Sequence, residues 1–119
     1  MLNEKCINYI EFPARDLDAA EQFYSDTFQW QFTSYGPEYV AFTDGHLDGG
    51  FYAADSESRS ASGAALVILY SADLEATLGL VEANGGTICK PIFSFPGGRR
   101  FQFLDPNGNE LAVWSDLGG

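Results

Sequence analysis

Two stretches of the 119-residue chain can be laid one over the other: RDLDAAEQFY, from Arg15, and ADLEATLGLV, from Ala72. Each places Asp-Leu-(Asp/Glu)-Ala directly after an apolar run, and Asp16 and Asp73 stand 57 residues apart, close to half the chain. An aspartate in that position caps the first turn of a helix by accepting its free N–H groups. Capping alone accounts for one such aspartate. It does not account for a four-residue match with the same order of elements on both sides.

The first half begins with the strand-like CINYIEFP, in which Tyr9 and Glu11 fall on one face and Ile10 and Phe12 on the other. After Asp16, the residues Ala20, Phe23, Tyr24, Thr27 and Phe28 recur at helical spacing and predict an amphipathic helix of about three turns. Strand candidates WQFTSY, EYVAFT and GGFYAA follow, separated by Gly36-Pro37 and by DGHLDG, both rich in turn formers. The polar, serine-rich DSESRSASG lacks periodicity and reads as a linker. Then the order begins again. The unbroken apolar content of AALVILY predicts a strand buried on both faces. Leu74, Thr77, Leu78 and Val81 mark a second helix face, which NGG at Asn84 to Gly86 ends with a left-handed residue. TICKPIFSF, RRFQFL and ELAVW supply three more strands. The chain is βαβββ written twice: module one over about 5–54, a linker over about 55–63, and module two over about 64–116. One such unit cannot bury both its helix and its sheet, so the two must pack together as a single α+β domain.

Composition narrows the function. Hydrophobic residues at 45% and aromatics at 15% exclude a disordered chain. No apolar run is long enough to span a bilayer, and the opening MLNEKCINYIEF lacks the layout of an export signal, so a soluble, cytoplasmic protein is expected. In that setting Cys6 and Cys89, both in strand-like runs, are expected to be buried thiols. The net charge of −11, with only six basic residues that form no stripe, argues against nucleic acid and anionic membrane as partners. That field suits a cationic small molecule; the alternative is that the acids only keep the protein soluble.

The pairing of IEFPARDLDAAEQFYSDTFQW with LVEANGGTICKPIFSFPGGRRFQFLDPNGNELAVW resembles the vicinal oxygen chelate superfamily, which contains glyoxalase I, extradiol dioxygenases and the bleomycin and fosfomycin resistance proteins. The resemblance covers essentially the whole chain. It implies paired βαβββ modules whose mixed sheets cup a cavity, and a homodimer. In the metal-using members, side chains from the first and last strands of each module, usually His or Glu, converge on one ion. The matching first-strand position here is Tyr9, seven residues before Asp16, and the matching last-strand position is Ala112, seven after Asp105. Neither 49–54 nor 64–70 contains any His, Asp or Glu. Since divalent metals of this kind need several imidazole or carboxylate ligands at one point, no metal and no cofactor are expected. The single histidine, His46, belongs to a turn, and only Glu11 with Glu110 could form a makeshift carboxylate pair.

Strand parity makes Tyr9, Glu11 and Trp114 the leading ligand-binding candidates, with Tyr39 and Tyr52 added from strands of less certain register. Each has a plainer reading: Trp114 as a core or interface aromatic, Tyr9 as inert filling, and Glu11 as the partner of Arg99 or Arg100. No nucleophile sits beside a histidine and no phosphate-binding glycine loop is present, so no catalytic residue is assigned. The expected function is metal-free binding of a small, cationic aromatic molecule in the cavity between modules. The alternative is a lyase, isomerase or dioxygenase, similar to lactoylglutathione lyase, acting on a small metabolite through Glu11 and Tyr9.

Overall fold

The repeated aspartates act as their positions predict. In the computed structural model, which describes residues 2–116, the side chain of Asp16 accepts the N–H of Ala19 at 3.0 Å and that of Asp73 accepts the N–H of Ala76 at 3.1 Å. Each cap starts the helix of a module. Module one runs β1 (Tyr9–Ala14), α1 (Leu17–Phe28), β2 (Gln31–Ser34), β3 (Tyr39–Thr43) and β4 (Asp48–Ala53). Module two repeats it as β5 (Val67–Tyr70), α2 (Leu74–Ala83), β6 (Thr87–Phe95), β7 (Gly98–Leu104) and β8 (Glu110–Ser115). The sheets have the same plan, β1-β4-β3-β2 and β5-β8-β7-β6, with the first pair parallel and the others antiparallel.

One face of each sheet is buried under the helices. Phe12, Phe42 and Phe51 of the first sheet and Phe101, Phe103, Leu111 and Val113 of the second belong to one continuous core. Helix α1 joins them, because the rings of Phe23 and Phe28 each reach Phe103 with centroids 6.0 Å apart. The two modules therefore share a hydrophobic interior, as the incompleteness of one βαβββ unit requires. Helix α1 ends on Gln29 in the left-handed conformation (φ 61°), whereas after α2 that conformation falls to Gly85 (φ 100°).

Two expectations are corrected. The strand within AALVILY is not buried on both faces: β5 is the edge of its sheet, and Ile68 and Tyr70 are 43% and 53% exposed. The run is apolar throughout, but only Val67 and Leu69 pack against the core. The cysteines are exposed and not buried. Cys6 precedes β1, and Cys89 falls at an irregularity in the β6–β7 pairing between Ile88 and Lys90, so neither side chain follows the alternation that would turn it inward. Among the described residues no helix is long and apolar enough to cross a membrane.

Polar contacts between the modules gather at the turn 105–109. Asp105 is almost fully buried; it accepts the Tyr24 hydroxyl at 2.8 Å and the backbone N–H groups of Asn107 and Asn109 at 2.8 and 3.0 Å. Burial pushes its pKa up, and these donors pull against that shift by favouring the ionised form. Asn107 holds the backbone N–H and C=O of Asp16 at 2.8 and 2.9 Å. Asn109 donates to the carbonyl of Pro13 at 2.7 Å and accepts the N–H of Ser58 at 2.8 Å. Gly108, at φ 89°, turns the chain so that both amides face module one. The segment read as a linker is thus fastened at Ser58, and the turn ties the end of β1 to the start of β8.

Asn109→Ala would leave the buried Pro13 carbonyl and the part-buried Ser58 N–H without these partners. Each unsatisfied group costs about 1–3 kcal/mol, so a loss of about 3 kcal/mol is expected in urea unfolding. The half-buried Asn84, whose side chain bonds only the Leu80 carbonyl of its own helix, serves as control, and Asn84→Ala should change stability by about 0.5 kcal/mol. Equal effects for the two variants would contradict the role given to the turn.

Candidate functional site

With Ile10 and Phe12 turned to the core, β1 presents Tyr9 and Glu11 on the opposite, open face of the first sheet. Cross-strand register sets their neighbours. Glu11 lies level with Gly50 of β4, Gly50 with Ala41 of β3, and Tyr39 with Tyr52. Strand β4 separates β3 from β1, and a side chain in its middle would keep their residues apart. Gly50 removes that barrier. The Tyr39 ring lies directly over it, so that a Cβ built at position 50 would overlap the phenol. Across this gap the Tyr39 hydroxyl donates to Glu11 Oε2 at 2.9 Å and meets the Tyr9 hydroxyl at 2.5 Å. Burial, followed by the hydrogen bonds to Tyr9 and Glu11, raises the Tyr39 pKa far above the ordinary tyrosine value.

Proton counting fixes the polarity of this group. Tyr39 has one hydroxyl proton and gives it to Glu11, so its oxygen accepts the proton of Tyr9. Tyr9 then has only lone pairs to offer a ligand, as does the other oxygen of Glu11. A cleft of about 560 Å³ opens beside Tyr9, lined also by Thr33, Tyr35, Ala41, Thr43 and Asp48. Of the sequence candidates, Tyr9, Glu11 and Tyr39 form one connected group, and Tyr52 flanks it through its pairing with Tyr39.

Trp114 lies elsewhere. It belongs to β8, packs edge-to-face on Tyr70 with centroids 5.4 Å apart, and lines a separate hollow of about 310 Å³ with Ile68, Phe95 and Arg100. Neither arginine proposed as a partner of Glu11 plays that part. Arg99 is held by Glu75 at 2.6 and 3.1 Å, and Arg100 bonds Gln102 at 3.3 Å. Glu110 is 8% exposed and both its oxygens are taken: Oε1 accepts the Ser60 N–H and hydroxyl at 2.8 and 2.7 Å, and Oε2 accepts Gln102 Nε2 at 2.8 Å. The Ser60 hydrogen bonds are the main cause of its lowered pKa. The makeshift pair of Glu11 and Glu110 does not form: one carboxylate serves Tyr39 and the other fastens the linker.

These residues do not fit a divalent metal. The Tyr39 ring takes the space into which a β4 side chain would project, Ala112 offers a fully buried methyl group, and Ile68 stands level with it on β5. Among the described residues no group of three or more His, Cys, Asp or Glu could hold a metal ion. His46 is an exposed turn residue whose N–H bonds Asp44. What the sequence did not reveal is the crossing of Gly50 by Tyr39 and the isolation of Arg100; the GG pair in GGFYAA was the one available hint of the former.

The fold and this site can be set beside known proteins. The model of the Glyoxalase/Bleomycin resistance protein/Dioxygenase superfamily matches residues 6–113. A glyoxylase-like domain-containing protein of Didymella fabae is 36% identical over 118 residues, covering 90% of this chain and 91% of the relative. Among solved structures, a glyoxalase/bleomycin resistance protein/dioxygenase family enzyme from Burkholderia phytofirmans PsJN superposes with TM-score 0.78 at 19% identity, covering 92% of this chain and 98% of that one. Lactoylglutathione lyase from Agrobacterium tumefaciens gives TM-score 0.72 at 24% identity, with 97% of each chain covered. The structural likenesses show a shared fold, while the family model and the Didymella fabae relative show descent: the chain belongs to the glyoxalase/bleomycin resistance protein/dioxygenase superfamily.

Proposed function

We propose that this chain is a metal-independent, small-molecule-binding member of its superfamily, and that it holds a cationic, partly aromatic ligand against Tyr9, Tyr39 and Glu11. The observation that carries the reading is the direction of the hydrogen bonds: the proton chain from Tyr9 through Tyr39 to Glu11 leaves this group of three with acceptors and no free donor. The carboxylate of Asp48 adds a further acceptor along the cleft. A ligand that brings N–H donors and positive charge completes the unmet hydrogen bonds, and the tyrosine rings receive its apolar part. Stacking of a cation on such a ring contributes about 0.5–2 kcal/mol, depending on how far it is desolvated. These forces alone give weak binding, so apolar contact within the cleft must supply much of the affinity.

The chain is further proposed to pair with a second copy. Outside the ligand group, Ile7, Tyr35, Tyr70 and Leu80 are exposed by 78%, 69%, 53% and 45%, an unusual amount of apolar surface for a chain that works alone. Native mass spectrometry of the purified protein tests assembly and metal content together. Twice the 13.0 kDa chain mass, with no added mass of a divalent ion, is expected. A single chain at micromolar concentration contradicts the dimer, and a retained transition metal contradicts metal independence.

Ligand preference is tested by calorimetric titration with benzylammonium, benzyl alcohol and benzoate, while the tyrosine ring signals of module one are followed by NMR. Benzylammonium should move the Tyr9 and Tyr39 signals, and Glu11→Gln should weaken its binding about fivefold, close to 1 kcal/mol. Added salt should weaken it as well. If benzoate moves those same signals as strongly, or if Glu11→Gln changes nothing, the reading fails.

A further inference from the structure

A hollow of about 620 Å³ lies behind the open face of the first sheet. Its walls include Ile10 and Phe42 of that sheet, Phe28 and Trp30 where α1 passes into β2, and Val67 and Leu69 of β5. All six belong to the hydrophobic core or pack against it. Ile10 alternates along β1 with Tyr9 and Glu11, so the hollow is on the helix side and the ligand group of Tyr9, Tyr39 and Glu11 is on the other. Strands β1 and β5 are the end strands of their sheets and do not pair with each other. The hollow is the space that the core leaves open between these two edges.

Trp30 brings a polar group to this apolar space. Its ring is stacked between those of Tyr24 and Phe42, with centroids 4.6 and 4.5 Å away and interplanar angles of 13° and 18°. Both faces are thereby covered, and with the residue only 7% exposed, what remains open of the ring is its edge. The indole carries its N–H on that edge. Trp30 Nε1–H has no hydrogen-bond partner among the described residues, and it is not closed off from solvent. A tryptophan this deeply buried ordinarily finds a partner for its one donor. The rings on either side also hold the donor in place before any ligand arrives, which lowers the cost of binding.

We infer that this hollow is a second small-molecule site, independent of the one on the open face, and that it takes a neutral, largely apolar molecule whose carbonyl oxygen accepts from Trp30 Nε1. A space of this volume, walled by aromatic and aliphatic side chains with one placed polar group, has the make-up of such sites. Charge decides the class of ligand. The border carries Asp44 and His46 of one turn but no lysine or arginine, in a chain of net charge −11, so an anion meets repulsion. A cation gains nothing from Trp30, because stacking requires a ring face and the edge is electropositive. The carbonyl of a ketone, ester or amide accepts the N–H and costs far less to bury than a carboxylate.

The test titrates the whole chain with acetophenone, ethylbenzene and benzoate, which share a ring and differ in the acceptor, while the indole N–H signals are followed by NMR. The chain has two tryptophans, so Trp114→Phe assigns the Trp30 signal. Acetophenone should shift that signal and bind about fivefold more tightly than ethylbenzene, the difference made by one hydrogen bond. Benzoate should leave it in place at the same concentration, and the Tyr9 and Tyr39 ring signals should not respond to acetophenone. Trp30→Phe should abolish the advantage over ethylbenzene. Because Trp30 fills the stack between Tyr24 and Phe42, that variant could fail to fold, and the shift in the wild-type chain then decides alone. Four results would overturn the inference: ethylbenzene or benzoate binding as tightly as acetophenone, a Trp30 signal that does not move, acetophenone moving the Tyr9 and Tyr39 signals instead, or a Trp30 signal that responds to dilution of the protein and not to acetophenone. The last would mean that a second copy already covers the hollow.

Discussion

A buried carboxylate, Asp105, stands where the modules meet, and much else is arranged around satisfying it. Its two oxygens accept one hydroxyl from α1 and two N–H groups from its own turn, and that turn presents Asn107 and Asn109 to the backbone of module one. A charge in such a place is tolerable only when its hydrogen bonds are complete. Completing them fixes the turn, the end of β1 and the linker at Ser58 in one relative position. The hydrophobic core then supplies most of the cohesion but little direction, since phenylalanine rings such as Phe23, Phe28 and Phe103 pack acceptably in more than one way. The polar turn chooses among them. The motif DPNGN is therefore a joint between repeats, and the same segment continues into Glu110, which fastens Ser60.

The open faces inherit their chemistry from what this joint and the core leave over. On the first sheet a missing side chain at Gly50 lets Tyr39 reach Glu11, so three polar groups from two strands that do not pair become one unit. On the second sheet Glu110 is drawn back to the linker, and Arg100 is left with a neutral neighbour. One face thus ends with surplus acceptors and the other with a surplus cation. Neither condition requires a metal, and in both the hydrogen-bond direction follows from counting protons on named atoms.

The repeated Asp16 and Asp73, the helical spacing of Phe23, Tyr24, Thr27 and Phe28, and the alternation of Tyr9 and Glu11 with Ile10 and Phe12 could all be read from the chain, because each is local and periodic. The order of elements, and with it the family, followed from them. What was hidden depends on partners far apart in sequence. AALVILY is apolar whether it lies in the middle of a sheet or at its edge, and only the strand order showed that Ile68 and Tyr70 are exposed. Cys89 was misplaced by an irregularity that sequence periodicity does not register. Tyr39 was named as a candidate without its reason, since the contact needs Gly50 and Glu11 brought level by pairing. Trp114 was grouped with Tyr9 by parity, a rule that orders residues within a strand but says nothing about which sheet faces which.

The account rests most directly on the phenol–carboxylate group formed across Gly50, and a pH titration of tyrosine ring carbons by NMR examines it in the intact protein. The burial of Tyr39 and its donation to Glu11 both oppose loss of its proton. Its signal should therefore remain that of a neutral phenol well above the ordinary tyrosine pKa of about 10, and Glu11→Gln should let it ionise at lower pH. A Tyr39 that titrates at about 10, with Glu11 intact and unchanged by its replacement, would show that the group does not exist and that the first sheet carries only separate side chains.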